Sequence, residues 1–138
     1  MKMKISRLTA RDPLVQIAYH KHLDDLFEQY GDSMPCPFCL AADREIIEET
    51  NDMLVVKNDF PYISYDGRTV VQHMMIVPKR HEPTFAGFSP REQAEYWDLM
   101  IKHHKAGYAS MTRSAIDLYR SIPEHLHTHL FYYADDQV

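Results

Sequence analysis

Three histidines alternate near the C-terminus of this 138-residue chain, at His125, His127 and His129. In an extended strand, alternate residues point to the same face, so the three imidazoles would share one face and the residues between them the other. Imidazole titrates near neutral pH, binds metals and can attack an electrophile as a nucleophile. The chain holds nine histidines in all, so a chance cluster is the alternative. The pattern predicts a catalytic strand or a metal site, provided that the elements around it agree.

The two cysteines of the chain, Cys36 and Cys39, are separated by two residues. Thiolates at this spacing can bind one tetrahedral zinc ion, which needs two further ligands from elsewhere. A redox pair would instead open a helix directly after a strand, whereas this pair follows a predicted helix and a proline-rich turn. The residues alone leave zinc binding, redox chemistry and inert cysteines open.

Composition indicates one domain with an ordinary core, since 45% of the residues are hydrophobic and 12% are aromatic. The net charge is −5, with 15 basic and 20 acidic side chains. This balance argues against wrapping of duplex DNA but is compatible with a small phosphate-bearing ligand. No apolar run approaches the length of a membrane span, and the polar N-terminus does not resemble a signal peptide. We therefore expect a cytoplasmic protein without membrane association.

The elements that must position the histidines begin with a predicted helix over residues 9–31. Asp12 is a suitable N-cap, the proline after it suits the first helical position, and Gly31 supplies the stop. His20 and His22 lie in its polar part and are interpreted as solvated. The apolar residues recur at helical spacing and predict one apolar face, formed by Leu14, Ile17, Ala18, Leu23, Leu26, Phe27 and Tyr30.

Two strands and two turns follow. Met53–Lys57 reads as a strand that ends at a turn over residues 58–62, and a turn at Asp66 and Gly67 precedes a central strand over residues 69–78. This central strand carries His73, which alone is more typical of a buried, hydrogen-bonded histidine than of a ligand.

The longest predicted helix opens at Ser89 as N-cap, with Glu92 completing a capping box. It ends near Gly107, and the basic residues of its last turn, His103 and His104 among them, favour a role at the helix C-terminus. Its predicted apolar face consists of Ala94, Trp97, Met100 and Ile101. A strand over residues 117–121 is expected to pair with the histidine strand as an antiparallel hairpin.

The order of these features resembles the histidine triad (HIT) family of nucleotide hydrolases and transferases. The resemblance covers roughly residues 34 to 133, and its motifs lie at residues 36–39, 58–61, 72–81 and 125–131. It implies an α+β, HIT-like fold with an antiparallel sheet of about five strands, one long helix and an extra N-terminal helix. Residues 1–33 would then be an N-terminal helical extension and residues 34–138 the HIT-like domain, usually paired into a homodimer.

The resemblance also implies an activity and a set of residues. His127 would attack the α-phosphorus of a nucleotide and form a nucleotidyl-histidine that water hydrolyses, cleaving a phosphoanhydride or phosphoramidate bond without a catalytic metal. His129 would donate to a phosphate oxygen and Ser121 to the bridging oxygen. The implied nucleotide-binding residues are Asn58 at the ribose, Phe60 and Val55 at the base, and His73.

Some branches of the family hold a structural zinc, and this chain has a candidate for each ligand. Those candidates are Cys36, Cys39, His81 and His125, which form a closed site of two thiolates and two imidazoles. His125 would then be structural and His127 catalytic.

The segment before the histidines departs from many family members, which place Gly-Gln-Ser or Gly-Gln-Thr there. Residues 120–124 contain no glycine and no glutamine, and Ser121 lies one position further from the histidines than the family's hydroxyl residue. This turn is more similar to the aprataxin and scavenger-decapping branches. The substrate is therefore either a nucleotide-containing small molecule or an adenylylated or capped nucleic acid end. An apparent insertion over residues 62–69 would bring Arg68 towards the ligand.

Two other functions remain open at this point. A zinc-stabilised nucleotide-binding module would keep the cysteines and histidines for structure and would not turn over its ligand. A metallohydrolase would instead use the three histidines as ligands of a catalytic metal, with Asp117 and Glu124 as further donors.

Overall fold

A computed structural model describes residues 9–31, 36, 38–39, 45–117 and 125–134. Within these residues, seven strands form an antiparallel sheet, accompanied by two long helices and a short 3₁₀ turn (Phe85–Gly87). The elements in chain order are β1 (Thr9–Arg11), α1 (Pro13–Tyr30), β2 (Ile46–Glu49), β3 (Met53–Lys57), β4 (Tyr62–Tyr65), β5 (Arg68–Pro78), α2 (Pro90–Lys105), β6 (Ala109–Met111) and β7 (Thr128–Tyr133). The predicted α+β class is confirmed.

The eleven-residue strand β5 is the centre of the sheet and pairs with β3, β4 and β7. Most of it is buried, as the apolar run in the sequence predicts. The hairpin from β4 to β5 turns at Asp66 and Gly67, whose φ angles of 52° and 73° are both left-handed. Such a two-residue turn matches the twist of paired strands. The insertion predicted over residues 62–69 therefore consists of the strand β4, this turn and the start of β5. Arg68 lies over the ring of Tyr133 at 3.9 Å.

Helix α1 begins later than predicted, because residues 9–11 pair with β4 as an extra strand. Its caps are as expected, with the Asp12 carboxylate accepting from the backbone N–H of Leu14 and Gly31 at the C-terminus. The predicted apolar face is not covered, since no described residue of the helix is buried and Leu14 is 76% exposed. The segment before residue 34 thus adds both a strand and an exposed helix to the sheet.

Helix α2 has the predicted capping box between Ser89 and Glu92. The prediction of its apolar face was wrong in part, because Trp97 and Ile101 are 60% and 50% exposed. The buried face carries Glu92, Tyr96, Leu99, Met100 and His103 instead. Aromatic and polar residues thus replace the simple apolar stripe, since Tyr96 reaches a hydroxyl of the sheet and Glu92 reaches an arginine.

On one side, the described partner of the histidine strand is a segment other than the one predicted, and the strand expected over residues 117–121 stays a prediction. The partner of β7 on this side is β6, at Ala109–Met111, a segment that reads as irregular in sequence. Asp117 lies outside any strand, and the other residues of the predicted strand lie outside the described part of the chain. Gly107, with φ of 100°, reverses the chain after α2 and lets β6 return along the sheet at once.

Candidate active site

The alternation of side chains along the histidine strand places the three histidines on the face of the sheet opposite the core beneath α2. Leu126 and Leu130 are 2% and 0% exposed and belong to the core beneath α2. Thr128 points the same way and shares a 2.9 Å hydrogen bond between its Oγ1 and the hydroxyl of Tyr96. The residues in odd positions therefore face the opposite side of the sheet, where all three histidines are less than 7% exposed.

The hydrogen bond of His127 determines which of its ring nitrogens can react. Its Nδ1 lies 3.1 Å from the backbone carbonyl oxygen of His125. A carbonyl oxygen only accepts, so Nδ1 carries the proton and Nε2 is the unprotonated nitrogen with the lone pair. This tautomer is the one that a nucleophilic imidazole needs.

His73 and His129 form a directed hydrogen-bonded pair. The backbone N–H of Tyr62 donates to Nδ1 of His73 at 3.1 Å, so the His73 proton is on Nε2. That Nε2 donates to Nδ1 of His129 at 2.8 Å, which places the His129 proton on its own Nε2. His129 is thereby oriented as a hydrogen-bond donor.

Both members of this pair are neutral at pH 7. Burial, the cation of Arg11 and His127 lower the pKa of His73 to about 3. Burial also holds the pKa of His129 well below its usual value, with His73, His127, Arg113 and Arg11 adding to the effect. Burial comes first in both cases, because a charged imidazole loses its hydration there.

Asn58 holds the turn after β3 and contacts His73. Its Oδ1 accepts from the backbone N–H of Phe60 at 2.8 Å, which fixes the orientation of the amide. Its Nδ2 donates to Met75 Sδ at 3.7 Å. His73 Nε2 lies 3.3 Å from the same Nδ2, but it already carries the proton that it donates to His129, so this contact is not a hydrogen bond. Asn58 is 7% exposed. Its predicted contact with a ribose remains a prediction.

The two residues predicted to line a base pocket lie in different places. Phe60 is half-buried, with its ring 5.1 Å from the ring of Tyr19 and 5.3 Å from that of His22 on α1. Val55 is 0% exposed and packs in the core beneath α2, on the face away from the histidines. Its neighbour Val56 lies on the histidine side, beside Phe38. Both valines are buried, so the pattern of β3 in the sequence does not reveal which one faces the site.

Four residues from distant parts of the chain meet at one end of the histidine strand and could bind a metal ion. One ligand atom from each of Cys36, Cys39, His81 and His125 lies within 4.8 Å of all the others. The sulfur–nitrogen contacts are 3.5 Å from Cys36 and 3.6 Å from Cys39 to His125, and 3.3 Å from Cys39 to His81. Zinc–ligand bonds of about 2.0–2.3 Å in a tetrahedron place sulfur and nitrogen about 3.6 Å apart, so the donor set fits such an ion.

The second nitrogen of His125 orients the ring in this cluster. Nε2 donates to the carbonyl oxygen of Pro78 at 2.8 Å, so Nδ1, the atom nearest both cysteines, carries the lone pair. A ligating histidine commonly has its other nitrogen hydrogen-bonded to a carbonyl in this way. Burial and the neighbouring sulfur of Cys36 raise the pKa of the Cys39 thiol.

Three side chains of the site were not predicted from the sequence. Phe38, between the cysteines, packs on His125 and His127 with ring centroids 5.4 and 4.9 Å away. Arg11 donates to the carbonyl oxygen of Phe60 at 2.7 Å. Arg113 acts on His129 through its charge. The signal for Phe38 was its place inside the cysteine motif, whereas the arginines had no local signal. Ser121 lies outside the described residues, so its predicted role stays a prediction.

Comparison with known proteins gives structural matches alone. No protein-family model and no curated protein sequence matches the chain. A HIT family hydrolase from Legionella pneumophila is 18% identical, with a TM-score of 0.52 over 70% of this chain and 90% of that one. A HIT family hydrolase from Clostridium thermocellum is 20% identical, with a TM-score of 0.55 over 75% and 94%. A hypothetical protein from Leishmania major is 21% identical, with a TM-score of 0.57 over 73% and 74%.

Within the described residues, no helix is long and apolar enough to cross a membrane. Three observations indicate the same fold. They are the order of the elements, the paired histidines of β5 and β7, and the structural neighbours. The chain therefore has the fold of the histidine triad (HIT) proteins.

Proposed function

We propose that this protein is a nucleotidyl hydrolase or transferase that cleaves a phosphoanhydride or phosphoramidate bond at the α-phosphate of a nucleotide. The observation that carries the proposal is the hydrogen bond from Nδ1 of His127 to the carbonyl oxygen of His125. It leaves the lone pair on Nε2, the atom that a nucleophilic imidazole uses. The HIT hydrolases among the structural neighbours support the same general activity.

The reaction has two steps with a covalent intermediate. Nε2 of His127 forms a bond to the α-phosphorus, and the bond to the leaving group breaks with its electron pair, which takes a proton from solvent. The positive charge that develops on the His127 ring is stabilised by the carbonyl oxygen of His125 at Nδ1. Water, or an acceptor hydroxyl in a transferase, then attacks phosphorus and breaks the P–N bond, losing its proton to solvent and regenerating neutral His127.

The neighbouring residues bind and orient the substrate. Nε2–H of His129, fixed by the bond from His73, donates to a non-bridging oxygen of the phosphate. Asn58 and Phe60 would receive the ribose and the base, and Ser121 would donate to the bridging oxygen. Val55 has no part in this proposal, because its side chain lies on the opposite face of the sheet.

We propose that the four-residue metal cluster holds a structural zinc ion. Two thiolates and two imidazoles in a tetrahedron are typical of closed zinc sites, which stabilise a fold without exposing the metal to a substrate. The ion would fasten the segment around Cys36 and Cys39 to His81, after β5, and to His125, before β7. His125 also supplies the carbonyl that orients His127, so the site would hold the nucleophile in place.

The direct test is to trap the intermediate. Wild-type protein is incubated with a panel of adenylylated compounds, including diadenosine polyphosphates and adenosine phosphoramidate, quenched and mapped by mass spectrometry. An adenylyl adduct on His127 and release of AMP are expected, and His127→Ala should lose both while retaining its metal and fold. His104→Ala, at an exposed histidine of α2, is the matched control. AMP release by His127→Ala at the wild-type rate would refute the mechanism.

A second candidate function, a nucleotide-binding module without turnover, is favoured by the burial of the site. His127 and His129 are only 5% and 6% exposed, and Phe38 covers part of His127. Such a module would bind the same panel with measurable heat and release no AMP. Binding without product across the whole panel would favour this function over catalysis.

We also propose that the protein is a homodimer. Trp97 and Ile101 are exposed apolar residues on α2, and the helix packs beside β6. Among the described strands β6 pairs only with β7, so it has an unpaired edge. A second copy of the chain would cover both features at once.

A further inference from the structure

The neutral histidines do not provide a cation for the phosphate. His73 has a pKa of about 3, and the pKa of His129 is well below its usual value. Neither imidazole therefore carries a positive charge at pH 7. An esterified α-phosphate keeps at least one negative charge, which is costly to bury without a cation or several fixed donors. A basic side chain on the histidine face of the sheet would supply this charge.

The register of β6 and β7, continued two residues past Met111, would set Arg113 on that face. The strands are antiparallel, and the hydroxyl oxygens of Thr112 and Thr128 meet at 2.7 Å, one step beyond the last backbone pair. β6 ends at Met111, and continuing its register by one more step would set Arg113 opposite His127. Residues directly opposite in an antiparallel pair have their side chains on the same face.

The electrostatics of the site agree with this placement. The Arg113 cation lowers the pKa of His129 and opposes the rise that burial causes in the pKa of Tyr62. Its side chain is 22% exposed and forms an ion pair with Asp117 at 3.5 Å. By contrast, the side chain of Arg91 on α2 is 68% exposed. Arg113 is thus a largely enclosed cation within electrostatic range of the histidines.

Among the described residues, Arg11 is a second cation that acts on the histidines, and it is committed to the fold. Arg11 donates to the carbonyl oxygen of Phe60 at 2.7 Å, and its guanidinium lies 4.4 Å from the ring centroid of Tyr19 and 4.6 Å from that of Tyr62. It therefore ties β1 to the turn after β3, and moving it to a ligand would break these contacts.

We propose that Arg113 binds the non-bridging oxygens of the substrate's α-phosphate opposite the attacking His127, an inference that rests on the proposed nucleotidyl chemistry. A guanidinium can donate to two phosphate oxygens in parallel and is fully charged at every working pH. Asp117 holds the side chain in the absence of a ligand. Arg113, two residues after the end of β6, would thereby supply phosphate donors in a chain whose residues 120–124 contain neither glycine nor glutamine.

The test compares a phosphorylated with an unphosphorylated ligand. Calorimetric affinities for the four common ribonucleoside 5′-monophosphates and their parent nucleosides are measured with wild type, Arg113→Gln, Arg113→Lys and Asp117→Asn. Arg91→Gln is the matched control for loss of a cation elsewhere. Unfolding temperatures are recorded for every variant, so that loss of fold is detected separately.

Arg113→Gln should weaken monophosphate binding at least about tenfold and leave nucleoside binding within about twofold, since one bidentate charged contact is lost. Arg113→Lys should recover part of the affinity, and Asp117→Asn should increase it by releasing the guanidinium. Arg91→Gln should match wild type.

Three results would overturn the assignment of Arg113. An unchanged preference for monophosphate over nucleoside in Arg113→Gln, alongside normal wild-type turnover, would refute Arg113 alone and leave the proposed function standing. An equal loss of both ligands would show a structural role. A wild-type protein that binds neither ligand class and forms no adduct would refute the proposed function, and the inference with it.

Discussion

The ring of Phe38 packs against the imidazole of His127, with 4.9 Å between their centroids. Phe38 stands between Cys36 and Cys39, two of the four residues of the metal cluster. The same ring lies 5.4 Å from that of His125, a third member of the cluster. The residue proposed to attack phosphorus and the residues proposed to hold zinc therefore pack on the same ring, and we expect a change at the metal cluster to affect the nucleophile.

Removal of one metal ligand should therefore lower both stability and activity. We expect His81→Ala to reduce bound zinc from about one ion per chain to near zero, by atomic absorption, and to lose about 4 kcal/mol of unfolding free energy if zinc stands at a thousand times its Kd. His104→Ala, another exposed histidine, should retain its zinc. Full zinc content in His81→Ala would contradict the ligand set.

Acid should destabilise the protein through His73. Its pKa is about 3 in the fold and near 6.5 when unfolded, so below pH 6.5 the unfolded state binds the additional proton. The contribution of His73 to the free energy of unfolding is complete above pH 6.5. It is lost as the pH falls from 6.5 towards 3, by about 1 kcal/mol or slightly more per pH unit. Urea titrations at pH 5.0 and 7.5 should show a smaller difference in His73→Asn than in wild type. Equal differences would show that His73 does not carry this dependence.

The exposed apolar residues of α2 should control the oligomeric state. Trp97 is 60% exposed, and Trp97→Glu would place a charge in the centre of the proposed dimer surface. Light scattering should then report a dimer for wild type and a monomer for the variant. Ile116→Glu, at a residue 89% exposed elsewhere, is the control and should remain dimeric. A wild-type monomer at high concentration would remove the dimer proposal.

The start of α2 should depend on Glu92, which is 4% exposed. Its carboxylate accepts from the backbone N–H of Ser89 at 2.8 Å and pairs with Arg80 at 3.0 Å. Glu92→Ala leaves the Ser89 N–H without its acceptor and removes one acceptor of Arg80, which keeps Glu82 and the Gly87 carbonyl. We expect a loss of about 1–3 kcal/mol in urea unfolding. Glu92→Gln keeps an acceptor at Ser89 and should lose less. Equal losses in the two variants would assign the effect to charge alone.

Several features were predictable from sequence because they depend on residues close together in the chain. The caps at Asp12 and Ser89 follow from local hydrogen bonding, and both are present in the structure. The division of His127 and Thr128 between opposite faces follows from the two-residue period of a strand. The meeting of Cys36 and Cys39 with His81 and His125 came from the family resemblance, and the geometry of the cluster now supports it.

Other features depended on which surfaces cover one another. Val55 and Val56 are both buried, so the burial pattern of β3 does not show which of them lies on the histidine side of the sheet. The packing of Val55 beneath α2 and of Val56 beside Phe38 decides it. The exposure of Trp97 and the pairing of β6 have the same origin, since packing partners decide which helix face and which short strand are used.

The sequence by itself determined the three histidines, their alternate spacing and their likeness to a known site. Only the tertiary structure decided how they differ from one another. The carbonyl of Pro78 fixes the tautomer of His125, the carbonyl of His125 that of His127, and His73 that of His129. Whether a ring nitrogen carries the proton depends on the hydrogen-bond acceptor or donor that faces it. Those partners are Pro78 and His73 of β5 and the carbonyl of His125.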